Sequence, residues 1–287
     1  MAKVGIIGGS GLYDMEGLEN IHQETILTPY GPTSDALICG EIEGVELAFL
    51  PRHGSTHHLT PSEVPYRANI WAMKKAGVDW IISLSAVGSL REDIVPGDMV
   101  IIDQFIDRTK GRNSTFFGDG VVAHVAFGDP VCGTLRQFLL EASRTAGATV
   151  HDGGTYVCME GPAFSTRAES ELYRSWGASV VGMTNIPEAK LAREAEISYA
   201  TVAMATDYDC WHPAHDDVNV EQVIAVLTKN ADLARQIVRS AVPLIQQFSG
   251  VHPQADALKD ALMSRSDAIP THRKRELAPI LGKYLKD

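Results

Sequence analysis

The residues of this chain best suited to chemistry are two acids, Asp207 and Asp209, set in Thr206-Asp207-Tyr208-Asp209-Cys210-Trp211. Side chains two apart at the end of a strand point the same way, and such a pair ordinarily faces water. Here an apolar stretch at 199–205 precedes the pair and Cys210-Trp211 follows it, which points instead to a partly buried pocket. A carboxyl group desolvated beside a second carboxylate keeps its proton to higher pH and can donate it, or a hydrogen bond. Asp207 is the expected donor. A second acidic and aromatic block, Cys158-Met159-Glu160-Gly161-Pro162-Ala163-Phe164-Ser165-Thr166-Arg167, starts at a strand end and turns at Gly-Pro into a helix. Phe164 is suited to stack on a base and Met183 to floor a sugar; the alternative for both is plain core packing.

Four short segments could hold an anion. Gly8-Gly9-Ser10-Gly11-Leu12 follows the first apolar stretch, where small residues let the backbone approach closely and Ser10 adds a hydroxyl. The sequence has no Gly-x-Gly-x-x-Gly, no P-loop Gly-Lys-Ser/Thr and no Gly-x-Ser-x-Gly, which disfavours a Rossmann dehydrogenase and an α/β-hydrolase. Pro51-Arg52-His53-Gly54 places a fork of donors and an imidazole at a strand end; a surface salt-bridge arginine is the alternative. Ser85-Ala86-Val87-Gly88-Ser89 offers a hydroxyl and backbone N–H groups at another strand end. Thr184 precedes Asn185-Ile186-Pro187-Glu188, a helix-start pattern, so it either meets an anion at a helix N-terminus or serves as an ordinary cap. Open α/β sheets collect ligands at the carboxyl ends of their strands, so these loops are expected to converge. His53-x-x-x-His57-His58 and Cys210-Trp211-His212-x-x-His215 match no familiar zinc framework, and no metal site is expected.

The elements that must position these residues are legible in outline. Apolar or β-branched runs at 4–7, 45–50, 80–85, 99–106, 155–159, 179–183 and 197–206 read as strands, several covered on both faces. Helical spacing marks 62–75, 135–146, 167–176 and 188–195 between them, and a long one-faced helix over 220–248. Strands and helices alternate, giving an α/β fold with a mixed central sheet flanked by helices. Residues 1–250 form the main catalytic domain in this reading. Residues 251–287 form a helical extension, either a subunit contact or lid or, as the plainer expectation, a solvated tail carrying the basic run His272-Arg273-Lys274-Arg275.

A chain of 287 residues, 45% hydrophobic, suffices for a sizeable core. Its 36 Asp+Glu against 25 Lys+Arg, net −11, are the wrong balance for a general nucleic-acid binder. Four scattered cysteines read as reduced thiols. No signal-peptide pattern and no membrane-length apolar run are present, so a cytoplasmic protein with no membrane association is expected.

In order, GGSGL, TPYG, RHG, YRANIWA, GSLRE, PGDMVIIDQFIDRT, EGPAFSTRAE, VVGMT, PEAKLAREA and ATDYDCW resemble the 5′-methylthioadenosine phosphorylases of the trimeric purine nucleoside phosphorylase superfamily, over roughly residues 4 to 248. The resemblance implies a single-domain fold of that kind and phosphate held by Ser10, Arg52 with His53, Ser85 with Ala86, and Thr184. The family commonly has threonine at the first and third of these; serine keeps the hydroxyl. It further implies Asp207 and Asp209 reading the base, Phe164 and Ser165 lining it, and Met183 under the ribose. Val220, Val223 and a neighbouring subunit's His124 would form a methylthio pocket. Where 6-oxopurine enzymes typically carry asparagine, this chain has Asp207, which favours adenine because a carboxylate accepts from an exocyclic amine.

The implied reaction turns 5′-methylthioadenosine and inorganic phosphate, a co-substrate, into adenine and 5-methylthioribose 1-phosphate with no cofactor. The implied assembly is a homotrimer or a hexamer of two trimers. The tail diverges too far to align the residue that completes the methylthio pocket. A broader purine nucleoside phosphorylase, a nucleosidase using water, and a catalytically inactive nucleoside binder are the competing readings.

Overall fold

The computed structural model describes residues 2–9, 12–213 and 220–285, and at 220–223, 225, 227 and 229 it describes the backbone alone. Ser10, His215 and the side chains of Val220 and Val223 therefore lie outside the described residues.

The strands are β1 (Lys3–Gly8), β2 (Glu19–Glu24), β3 (Leu37–Ile42), β4 (Val45–Pro51), β5 (Trp80–Ser89), β6 (Met99–Ile101), β7 (Gln104–Arg108), β8 (Val150–Asp152), β9 (Thr155–Met159), β10 (Val180–Gly182) and β11 (Ser198–Asp207). The helices are α1 (Tyr66–Lys75), α2 (Gly133–Thr145), α3 (Arg167–Ser175), α4 (Asn185–Glu194), α5 (Val220–Gln246), α6 (Thr271–Glu276) and α7 (Ala278–Leu281). The strands form one mixed sheet, the expected α/β architecture, in the order β2-β3-β4-β1-β5-β10-β9-β7. β5 is the branch point: its first part lies between β1 and β11, both parallel to it, and its last residues pair antiparallel with β10.

Adjacent residues of a strand face opposite sides of the sheet, and both sides here are covered. Ile6, Ile82 and Val202 pack with Leu135 and Leu139 of α2 and Ile237, Val238 and Ala241 of α5. Ile7, Ile81 and Ala203 pack on the other side with Ile70 and Met73 of α1 and Ala189, Leu191 and Ala192 of α4.

Three of the expected elements differ in the structure. The single strand expected over 99–106 is two: β6 pairs with β11 and β8, whereas β7 leaves to pair with β9. Asp103 lies at that divergence, where its Oδ1 accepts from the Gly154 N–H. The helix expected from 62 starts at Tyr66, because Pro65 caps it outside helical geometry. The tail is not solvated. Leu258, Ile269, Leu277, Ile280 and Leu281 are buried in the α1–α4 core, and the Trp71 Nε1–H donates to the Glu276 carbonyl. The buried Glu196 carboxylate accepts from the Leu258 N–H, the Tyr284 hydroxyl and the Lys283 ammonium. These apolar tail residues, expected to lie on a solvated tail, complete a core that α1 and α4 leave open.

Candidate active site

β1, β4, β5 and β11 deliver their carboxyl ends to one region. The Arg52 N–H donates to the Gly8 carbonyl at 2.9 Å, which brings the ends of β4 and β1 together, while β5 and β11 run in parallel register to Gly88 and Asp207.

At the end of β11 the register with β5 slips between Ala205 and Asp207. Bulges of this kind re-aim side chains. Asp207 Oδ2 accepts from the Thr206 hydroxyl at 2.6 Å and its Oδ1 from the Asp209 N–H at 2.8 Å. Asp209 adopts φ 49°, a left-handed conformation that only a short polar side chain tolerates well outside glycine. Gly88 makes the close approach possible: a Cβ there would lie 3.0 Å from Asp207 Oδ1 and 3.2 Å from Asp209 Cβ. Burial pushes the Asp207 carboxyl above the ordinary aspartate range, against its two hydrogen bonds and with help from the charge of Asp209. Burial raises Asp209 as well. Asp209 is 5% exposed, and its Oδ2 has no hydrogen-bond partner among the described residues. A buried acceptor without a donor at hydrogen-bond distance is costly unless a ligand, or one of the neighbouring Ser165 and Ser170 hydroxyls, supplies one.

The 158–167 block closes on this pair. The Cys210 thiol donates to the Ser165 carbonyl, and Arg167 Nη1 donates to the Cys210 carbonyl at 2.7 Å. Thr166 and Glu169 form a reciprocal capping box that fixes the start of α3. Phe164 is left 43% exposed, unusual for a large aromatic. Met183 lies against Gly161, where a Cβ would come within 2.5 Å of its Sδ.

The anion candidates divide. Arg52 is only 3% exposed and is not the surface arginine of the alternative reading. Its Nε and Nη2 meet the two Glu188 carboxylate oxygens, Nη2 also donates to Ser83 Oγ, and Nη1 donates to the Leu84 carbonyl. Nη2 also contacts the Ile7 carbonyl at 3.4 Å, and of the five guanidinium N–H groups one on Nη1 has no acceptor among the described residues. His53 is pushed down to about 4, first by burial and then by the Arg52 charge, against the Leu59 carbonyl that its Nδ1 contacts at 2.8 Å. Neutral and with Nδ1–H directed at that carbonyl, the ring presents Nε2 as an acceptor. The buried Ser85 hydroxyl lies 3.2 Å from the Tyr156 hydroxyl, and half-buried Ala86 follows it. Thr184 caps α4 without a side-chain hydrogen bond, and the extended Ile186 interrupts the expected helix start.

His124 is exposed and tied through its backbone N–H to the Ala261 carbonyl; no hydrogen bond or ring contact among the described residues joins it to Asp207, Phe164 or Met183. No group of three or more metal-ligating side chains occurs among the described residues.

Sequence reasoning missed Glu188 as the partner of Arg52, and Tyr156. The Tyr156 phenol occupies the space left by Gly182, whose Cβ would collide with it, and backs the Ser85 hydroxyl. A lone aromatic in the strand Thr-Tyr-Val-Cys-Met, beside a strand that ends in glycine, was the available signal.

A mixed sheet that brings the candidate anion loops and an acid pair to its strand ends, beside the exposed Phe164, is an arrangement suited to a group-transfer enzyme that joins an anion to a ring-bearing ligand. The sequence model of the Phosphorylase superfamily matches residues 3–243, and the chain belongs to that family. It is 58% identical over 283 residues to the S-methyl-5′-thioadenosine phosphorylase of Geobacter sulfurreducens, covering 98% of this chain and 99% of that protein. With the enzyme of the same name from Chloroflexus aurantiacus it shares 59% over 284 residues, covering 99% and 98%. Among solved structures it resembles a methylthioadenosine phosphorylase from an antarctic soil metagenomic library, with TM-score 0.94 at 53% identity over 98% of this chain and 99% of that one. A Schistosoma mansoni methylthioadenosine phosphorylase in complex with adenine follows at TM-score 0.87 and 36% identity, covering 92% and 99%.

Proposed function

We propose that this chain catalyses phosphorolysis of 5′-methylthioadenosine, giving adenine and 5-methylthioribose 1-phosphate. The observation that carries the proposal is the acid pair, Asp209 buried and Asp207 half-buried, in which burial raises both carboxyls and Asp209 Oδ2 meets no hydrogen-bond donor among the described residues. The exocyclic amine of adenine supplies that donor, whereas the carbonyl of a 6-oxopurine sets acceptor against acceptor. Sites built around such a hydrogen bond discriminate by roughly 100-fold or more.

In this reading Phe164 and Ser165 flank the base and Met183 lies beneath the ribose. The N-glycosidic bond stretches, its electrons pass to the purine, and protonated Asp207 donates to the imidazole edge of the leaving base. Phosphate, held by Ser10, the free Arg52 N–H, His53 Nε2 toward a phosphate O–H, Ser85 with Ala86, and Thr184, faces the developing cation and bonds to the anomeric carbon. Inorganic phosphate is a co-substrate, and the reaction as written needs no cofactor or metal. The resemblance assigns the 5′ pocket to Val220 and Val223, whose side chains lie outside the described residues, and to His124 of a neighbouring copy, in a cytoplasmic homotrimer or dimer of trimers.

Methylthioadenosine, adenosine, inosine and methylthioinosine, compared at saturating phosphate, test base and 5′ recognition together. Methylthioadenosine is expected to turn over with the highest kcat/KM. Preference for inosine over adenosine would overturn the assignment of the acid pair.

A further inference from the structure

Arg112 lies in the loop after β7, outside every loop assigned above to phosphate or base. Its side chain is 3% exposed and holds two segments of the site at once. Nη1 donates to the Met183 carbonyl at 2.6 Å and to the Ile186 carbonyl at 2.9 Å, the two carbonyls that bracket Thr184 and Asn185. Nη2 donates to the Glu160 carbonyl at 2.5 Å and Nε to the Glu160 carboxylate at 3.0 Å, at the start of the loop that carries Phe164 and Ser165. The fork is completed by a 3.3 Å contact from Nη1 to the Tyr66 hydroxyl. Glu160 is itself fixed by the Ser62 hydroxyl and the Lys110 N–H. Among the described residues no hydrogen bond or ion pair joins Arg112 to Asp207 or Asp209.

We propose that Arg112 is a positioning residue that sets the ribose floor and the Thr184 loop in register with the 158–167 block. One planar cation spanning three backbone carbonyls fixes distances between segments far apart in sequence, and a single ammonium cannot reproduce that geometry. Displacements near 1 Å of groups aligning reactants cost on the order of 100-fold in rate.

The inference rests on the proposed reading of Thr184 and Met183, and wild-type turnover on the nucleoside panel tests that reading separately. Arg112→Gln and Arg112→Lys are compared with wild type on whichever purine nucleoside the wild type cleaves, alongside calorimetric affinity for free adenine. Expected is a loss of about 100-fold in kcat/KM for phosphate in Arg112→Gln, and at least tenfold in the charge-conserving Arg112→Lys, with adenine affinity within threefold of wild type in both. Should Arg112→Gln not fold, Arg112→Lys carries the comparison alone. Two results would overturn the proposal: phosphate kinetics within threefold of wild type, or adenine affinity falling in parallel with turnover, which marks a general scaffold role.

Discussion

The Arg52 guanidinium meets the Glu188 carboxylate along one whole edge, Nε to Oε2 at 2.8 Å and Nη2 to Oε1 at 2.9 Å, in a place where both side chains are almost fully buried. Glu188 also accepts from the Ser83 and Tyr199 hydroxyls, and Asn185 Nδ2 donates to Ser83, Tyr199 and Thr201 in the same network. The charge of Arg52 is thereby cancelled before any anion arrives.

Removing that cancellation is expected to destabilise the fold. Glu188→Gln keeps the shape but leaves a buried cation unpaired, a change that costs about 3 kcal/mol at the lower end of such cases. Urea unfolding of the variant against wild type reads this directly; an unchanged midpoint at equal slope would show that the pair contributes nothing.

Asp207→Asn removes the proton donor while retaining size and the possibility of accepting from the Asp209 N–H. Turnover of adenine nucleosides is expected to fall by roughly 100-fold to 10,000-fold, the range for a general acid, with the melting temperature little changed. The wild-type kcat/KM is expected to decline as pH rises through the raised Asp207 pKa, where the acid form disappears, and the variant should lose that limb. Near-normal turnover in the variant would remove Asp207 from the mechanism.

Glu194 predicts a pH dependence of stability. Burial raises its carboxyl from 4.5 to about 7, against hydrogen bonds from the Phe116 N–H and the Thr115 hydroxyl. The folded state therefore holds the proton more tightly than the unfolded chain. The associated stability, on the order of 3 kcal/mol, is fully present below pH 4.5 and is lost as pH rises through about 7. Urea midpoints between pH 5 and 8 should decline in wild type and flatten in Glu194→Gln; equal slopes in the two proteins would contradict the assignment.

The buried tail makes a packing prediction. Leu281 is fully buried beside α1 residues in the shared core, and Leu281→Ala is expected to cost about 2–5 kcal/mol on urea unfolding. A solvated tail would lose less than about 0.5 kcal/mol.

The sequence reading succeeded where information is local. Short, nearly continuous apolar runs exposed the strands β1, β4, β5, β9 and β11, which are covered on both faces, and the acid pair stood out because an apolar run and a tryptophan enclose it. It failed where partners are distant or the pattern is polar. Glu188 resembled a helix-start acid, and its partner is 136 residues away. β2, Glu-Asn-Ile-His-Gln-Glu, is a mostly exposed edge strand with no apolar face to announce it. β3 is joined to β4 by a turn at Glu43 and Gly44, both at positive φ, a hairpin signal that was present but unread. Tail residues such as Leu277 looked solvated because the surface they cover belongs to α1 and α4.

The fate of phosphate tests the central claim most directly. With labelled inorganic phosphate and methylthioadenosine in single turnover, one labelled sugar 1-phosphate is expected to form per adenine released, with no release when phosphate is omitted. Adenine released at the same rate without phosphate, with free methylthioribose as the partner product, would contradict it.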